Sequence, residues 1–412
     1  MKVKEHKTER LHSLDSLRAI MMMLGIVLHT SITYIGGKPS FGWPLRDPGT
    51  ESSFLEWILS TIHNFRMPIF MLIAGFFAAL LFYDRTPKKM IINRAKRILY
   101  PFAVFLVILW PLVVIGFSYS NAVFSYNEPF ESVIGTRFVN STWDSFSTLG
   151  SFIPETTMHL WFLYYLILFS IASFALGMLF KKQKTLTRKI SQIFNMILVK
   201  PVLRIIVFPL FTFGILMIMQ SGWVNTSTSF IPDFGTFIFY FSFYMIGWIL
   251  FKSKHLLPIF LQYDWVFLAA ATGIYTVYYF TYDAMSFQVI ALLKSFTVWL
   301  FIFSFMGLFM RYLSKHSPLM RYVSDSAYWV YLLHLPLTAA LPGLIGPWPV
   351  SGFVKFLIVV FLTSVVCFVT YNYFVRSTFI GKFLNGKKYS RKLSDIKKQA
   401  DVAQLKPVAK SI

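Results

Sequence analysis

The chain alternates between long apolar runs and short polar stretches, and each run is long enough to cross a bilayer. A span needs about 20 mostly apolar residues. That length predicts helices over 14–35, 54–83, 98–118, 158–180, 203–220, 236–251, 265–281, 286–310, 326–343 and 353–375. The expected fold is all-α: a polytopic integral membrane protein of about ten transmembrane helices. A tail over 1–13 precedes a transmembrane domain over 14–375, and a basic tail over 376–412 follows it. An even number of spans puts both termini on one side. The first run contains Asp15 and Arg18 behind a charged tail, and no small-residue cleavage site follows it, so it reads as a retained helix rather than a signal peptide.

The polar residues inside the runs carry the chemical information. In "DSLRAIMMMLGIVLH", Asp15 and Arg18 are three apart and Arg18 and His29 eleven apart, so all three fall on one helical face. At 1.5 Å per residue, Arg18 and His29 are separated by about 16 Å along the axis, one in the inner part of the bilayer and the other in the outer half. A buried charge costs at least about 2.5 kcal/mol there, which marks such groups as functional candidates. The second run, "IHNFRMPIFMLIAGFF", repeats the signal with His63 and Arg66 on one face. The two helices run antiparallel, which brings His29 toward His63 and lines a polar cleft with two histidines and two arginines. Pro68 and Gly75 are expected to kink or thin the second helix. Glu155 and His159, four apart in "PETTMHLWFLYYL", are expected to touch at the outer mouth of the fourth helix. His334 sits mid-span in the ninth, with Ser324 or Asp325 as its cap. The aromatic residues around 161–165 and 328–331 read as belt or packing residues. Lys294 is a candidate counter-charge for an acidic acyl group, with a structural role as the alternative.

Composition supports the membrane reading and limits the partners. The chain is 56% hydrophobic and 14% charged with a mean hydropathy of +0.61, too apolar for a soluble domain of this length. The net charge of +22 raises nucleic acid as a partner. The positive charge instead follows the loops on the side of the termini, while the opposite loops are neutral or acidic, which predicts cytoplasmic termini and no nucleic acid. The tail from Arg376 holds ten basic and two acidic residues and is expected to rest, solvated, on anionic lipid. The longest outer loop, 119–157, carries Glu128, Glu131, Asp144 and Glu155 and is the candidate acceptor-side surface. The single cysteine, Cys367, cannot form an intrachain disulfide. No phosphate-binding loop, paired CxxC or HExxH occurs, and no metal is expected.

Taken in order, "SLDSLRAIMMMLGIVLH", "FRMPIFMLIAGFF", "HLWFLYYL" and "SAYWVYLLHLPL" resemble the membrane acyltransferase 3 family over residues 11–375, with Ala74 where a serine is common in that family. The resemblance implies a multi-pass bacterial inner-membrane enzyme. It would move an acyl group, succinyl first and acetyl as the alternative, from cytoplasmic acyl-CoA to a hydroxyl of an extracytoplasmic glucan or related carbohydrate. Carried over residue by residue, the family's essential arginine and histidine fall on Arg18 and His29, and its second-helix arginine on Arg66. His29 is then the general base, with His63 beside it as a second catalytic residue. Arg18, Arg66, Asp15, Glu155, His159 and His334 are candidate substrate-binding residues. No tightly bound cofactor is implied; acyl-CoA enters as a substrate, and membrane lipid surrounds the chain. The competing class is a proton-coupled secondary transporter that uses the same intramembrane His and Arg residues.

Overall fold

The computed structural model describes residues 11–37, 42–126, 148–222, 224 and 226–390. Among them the chain is helical, without β-strands. The helices are α1 (His12–Thr33), α2 (Ser53–Leu80), α3 (Pro87–Arg94), α4 (Tyr100–Tyr126), α5 (Trp161–Phe180), α6 (Lys184–Val199) and α7 (Pro201–Met219). They continue as α8 (Phe234–Lys252), α9 (Asp264–Thr281), α10 (Phe287–Leu313), α11 (Pro318–Ile345), α12 (Gly352–Thr370) and α13 (Phe379–Asn385). Nine helical segments among the described residues are long and apolar enough to cross a membrane; a tenth arises if Lys254–Leu261 and Asp264–Ala284, bent by 68°, form one broken span. The bend falls at Tyr263, a non-glycine residue at φ 63°.

The spans sit where the apolar runs predict them, but several are longer. The third extends from Pro87 to Phe124. The ninth begins at Pro318, eight residues before the expected start at 326, and its cap is Ser317, whose hydroxyl accepts from the Met320 amide at 3.4 Å. Neither Ser324 nor Asp325 caps it. Arg321, one turn earlier, holds the Asp325 carboxylate at 2.9 Å, which lets this polar pair sit inside a helix. The amphipathic helix α6 was not foreseen between the fourth and fifth spans. It exposes Leu186, Ile190 and Ile193 along one stripe and buries Phe194 and Leu198.

Helix α1 lies at the centre, packed against α2, α10, α11 and α12. Small residues set the closest approach in the bundle. A Cβ at Gly75 on α2 would lie 1.8 Å from the Tyr244 carbonyl oxygen, and one at Gly247 on α8 would lie 1.8 Å from that of Leu72. These reciprocal glycines let the two backbones touch. Pro68 lies within α2 without ending the helix.

The beginning of the expected solvated tail is packed instead. Arg376 is 1% exposed, its Nε donates to the Ser390 carbonyl at 2.7 Å, and its guanidinium lies over the Tyr322 ring. Helix α13 is tied down by Arg97, which donates to the Lys382 and Phe383 carbonyls. The aliphatic and aromatic surface here is large enough to hold basic residues that charge alone would leave in water. Residues 391–412 lie outside the described ones.

Candidate active site

The site gathers around α1. Its polar face continues from Asp15 and Arg18 through Gly25 to His29, and the gap at Gly25 lets groups from two other helices reach it. A Cβ at Gly25 would lie 2.9 Å from Arg66 Nη1 and 3.3 Å from His334 Nε2. The guanidinium of α2 and the imidazole of α11 therefore both converge on this glycine.

Three histidines form a chain of rings. The His29 and His334 centroids are 5.2 Å apart, and those of His334 and His159 are 5.3 Å apart. His159 comes from the turn Met158–Leu160 that leads into α5, where Met158 takes the left-handed region at φ 48°. That conformation is unfavourable for an unbranched residue with a long side chain, and strain of this kind concentrates at functional sites. His334 Nδ1 lies 2.7 Å from the Tyr331 carbonyl oxygen and His159 Nε2 lies 3.2 Å from that of Leu332. A carbonyl oxygen only accepts, so each of these nitrogens carries the proton. The opposite nitrogens, His334 Nε2 and His159 Nδ1, are buried with no hydrogen-bond partner among the described residues, as are His29 Nδ1 and Arg66 Nε. Tyr331 locks the arrangement by donating its hydroxyl to the His159 carbonyl at 2.6 Å.

These groups line one cavity of about 590 Å³, counted out to its open mouth. His29, His63, Arg66, His159, His334 and Tyr331 form its polar wall, and methionines and aromatic rings form the rest. Arg66 has no carboxylate within ion-pair distance among the described residues. A buried guanidinium without a counter-ion is costly to hold in a membrane and is a ready receptor for negative charge on a bound molecule. No group of three His, Cys, Asp or Glu among the described residues is arranged to hold a metal ion.

Residues 42–47, between α1 and α2, reach His29 through Trp43. Trp43 stacks on the His29 ring with centroids 5.3 Å apart and planes 19° apart, and its indole nitrogen donates to Thr33 Oγ1 at 3.0 Å. Asp47 in the same segment is clamped by Lys355 of α12 at 3.0 Å.

The structure thus unites five of the expected site residues: His29, His63, Arg66, His159 and His334. It leaves Asp15 and Arg18 at the other end of α1, joined at 3.3 Å, with Arg18 over the Phe77 ring. Glu155 does not meet His159. Helix α5 begins only at Trp161, so residues 155 and 159 share no helical face, and Glu155 is exposed. Of the acceptor-side loop, Glu128, Glu131 and Asp144 lie outside the described residues. Sequence reasoning missed Gly25, Trp43 and Tyr331. Gly25 carried a signal, seven residues after Arg18 and four before His29 on the same face. Tyr331 falls among the aromatic residues that pattern as packing or belt, and Trp43 reaches the site through a loop that periodicity cannot place.

Comparison with known proteins places the chain in a family. The family model described as an acyltransferase domain, Acyl_transf_3, matches residues 11–372. Relatives named glucans biosynthesis protein C occur in Escherichia coli. The protein of strain SMS-3-5 is 25% identical over 402 residues, covering 94% of this chain and 97% of its own length. That of strain K12 is 24% identical with the same coverage. No solved structure matches.

Proposed function

The chain belongs to the acyltransferase domain family, and we propose that, as a multi-pass membrane acyltransferase, it moves an acyl group from cytoplasmic acyl-CoA to a hydroxyl of an extracytoplasmic glucan or related carbohydrate. The acyl group is succinyl, with acetyl as the alternative, and the membrane is the bacterial inner membrane. The observation that carries this reading is the convergence of His29, His63, His159 and His334 on the unneutralised guanidinium of Arg66 in one cavity.

In this scheme the neutral imidazole of His29 takes the proton of the acceptor hydroxyl as its oxygen bonds to the acyl carbonyl carbon. Negative charge grows on the carbonyl oxygen and is met by Arg66, with His63 as the second catalytic group beside it. The carbon–sulfur bond then breaks and the proton passes from His29 to the departing thiolate, giving an ester and free coenzyme A. His159 and His334 hold the wall behind His29 and contact the bound substrate. Arg18, partnered by Asp15 at the opposite end of α1, binds anionic groups of the donor. Glu155, exposed four residues before His159, contacts the carbohydrate. The scheme requires no metal and no resident cofactor.

The test is to incubate the purified chain in detergent with labelled succinyl- or acetyl-CoA and a β-glucan, comparing wild type with His29→Ala. His29-dependent label on the glucan supports the reading. Equal label from both proteins removes His29 from the mechanism, and donor-independent movement of a solute across proteoliposomes would favour transport instead.

A further inference from the structure

A second cavity, of about 440 Å³ counted out to its open mouth, adjoins the first. His63 lines both, so the two compartments meet at that residue. The second one is walled by α2, α7, α8, α9 and α10 and contains Asn64, Tyr240, Tyr275, Lys294 and Ser295. No Asp or Glu lines it among the described residues, so Lys294 gives the compartment a positive charge. Lys294 is 8% exposed, and its ammonium lies 5.4 Å from the centre of the Tyr278 ring. Ser295 is wholly buried, and its hydroxyl has no hydrogen-bond partner among the described residues. Its neighbour Asn64 is held in place by donating to Thr297 Oγ1 at 3.0 Å.

We infer that this compartment receives the far end of the acyl group and that Lys294 with Ser295 selects acyl groups ending in a carboxylate. The inference rests on the proposed acyl transfer. With the acyl carbonyl at His29 and Arg66, a chain of a few carbons directed past His63 enters the second cavity. A terminal carboxylate there meets an ammonium and a hydroxyl donor in a site of low dielectric. A terminal methyl group would gain nothing from the ammonium and would leave the Ser295 hydroxyl unsatisfied, which disfavours neutral chains of the same length. The carboxylate takes no part in bond making; it fixes the acyl chain while the ester forms at the other end.

Succinyl-CoA and butyryl-CoA have acyl chains of equal length and differ in the terminal carboxylate. The experiment measures kcat/KM for both donors with the full chain in detergent, for wild type, Lys294→Gln, Lys294→Arg and Ser295→Ala. Wild type is expected to prefer succinyl. Lys294→Gln should lower the succinyl-to-butyryl ratio about 10- to 100-fold, the worth of a hydrogen bond to a charged group, and Lys294→Arg should retain most of the preference. If Lys294→Gln does not fold, Ser295→Ala carries the test, with about a tenfold drop in the same ratio. An unchanged ratio in either folded variant overturns the inference, as does a wild type that transfers butyryl and succinyl equally. A wild type that transfers acetyl from acetyl-CoA but neither of these donors overturns the inference and leaves acyl transfer standing, whereas transfer of none of the three sinks the underlying reading as well, so the two failures are told apart.

Discussion

Replacing Lys355 by Met should detach the segment over His29. The Lys355 ammonium lies 3.0 and 3.4 Å from the two carboxylate oxygens of Asp47 and donates to the Gly346 carbonyl at 2.8 Å. Asp47 is also bound by the Thr50 hydroxyl at 2.7 Å, and its backbone amide donates to the Thr33 carbonyl at 2.9 Å. Both side chains of the ion pair are buried, at 8% and 3% exposure. Deleting one partner of such a pair costs about 3–5 kcal/mol, because the remaining charge is stranded. Asp47 escapes that cost only by rising into water, and the segment it anchors carries Trp43 away from the His29 ring. A penalty of this size shifts the docked-to-undocked ratio roughly 10²- to 10⁴-fold. Acyl transfer by Lys355→Met should therefore fall, with faster hydrogen exchange at the Asp47 amide than in wild type. The double variant Asp47→Asn/Lys355→Met removes both charges and should recover much of the docking. Wild-type transfer and exchange in Lys355→Met would refute the clamp, and so would a double variant as impaired as the single one.

Three further expectations concern the bundle and the site. Arg66→Met should lower kcat about 10²- to 10³-fold through loss of the oxyanion donor, read by single-turnover acyl transfer, with an unaltered rate excluding that role. Gly75→Val drives a side chain into the Tyr244 carbonyl and should destabilise the α2–α8 contact by about 1–3 kcal/mol or more, visible as a lower melting midpoint in detergent. Arg18→Ala should weaken acyl-CoA binding in equilibrium titration while leaving the His29 cavity intact; unchanged affinity would remove Arg18 from donor recognition.

Much of the site was legible because charge is scarce in an apolar chain. His29, His63, Arg66 and His334 stood out from their neighbours by chemistry alone, and the helical repeat placed His29 on one face with Arg18 and His63 on one face with Arg66. Their common cavity depends on which helices meet. Gly25 allows Arg66 and His334 to approach α1 together, and that contact joins residues far apart along the chain. Local patterning misled where a turn replaced a helix, as between Glu155 and His159, and where a helix tolerated a paired charge, as at Asp325.

By itself, the sequence determined that the chain is a bundle of membrane helices, roughly where each begins and ends, and which polar residues must be sheltered inside it. Those properties follow from the length of apolar runs and the cost of charge in lipid, both local along the chain. The tertiary structure alone decided that Trp43 covers His29, that Lys355 holds Asp47, and that His63 joins the cavity of Arg66 to that of Lys294. Each is a contact between separate segments, set by close packing at glycines and by the pairing of buried charges, and neither is written in the periodicity of one helix.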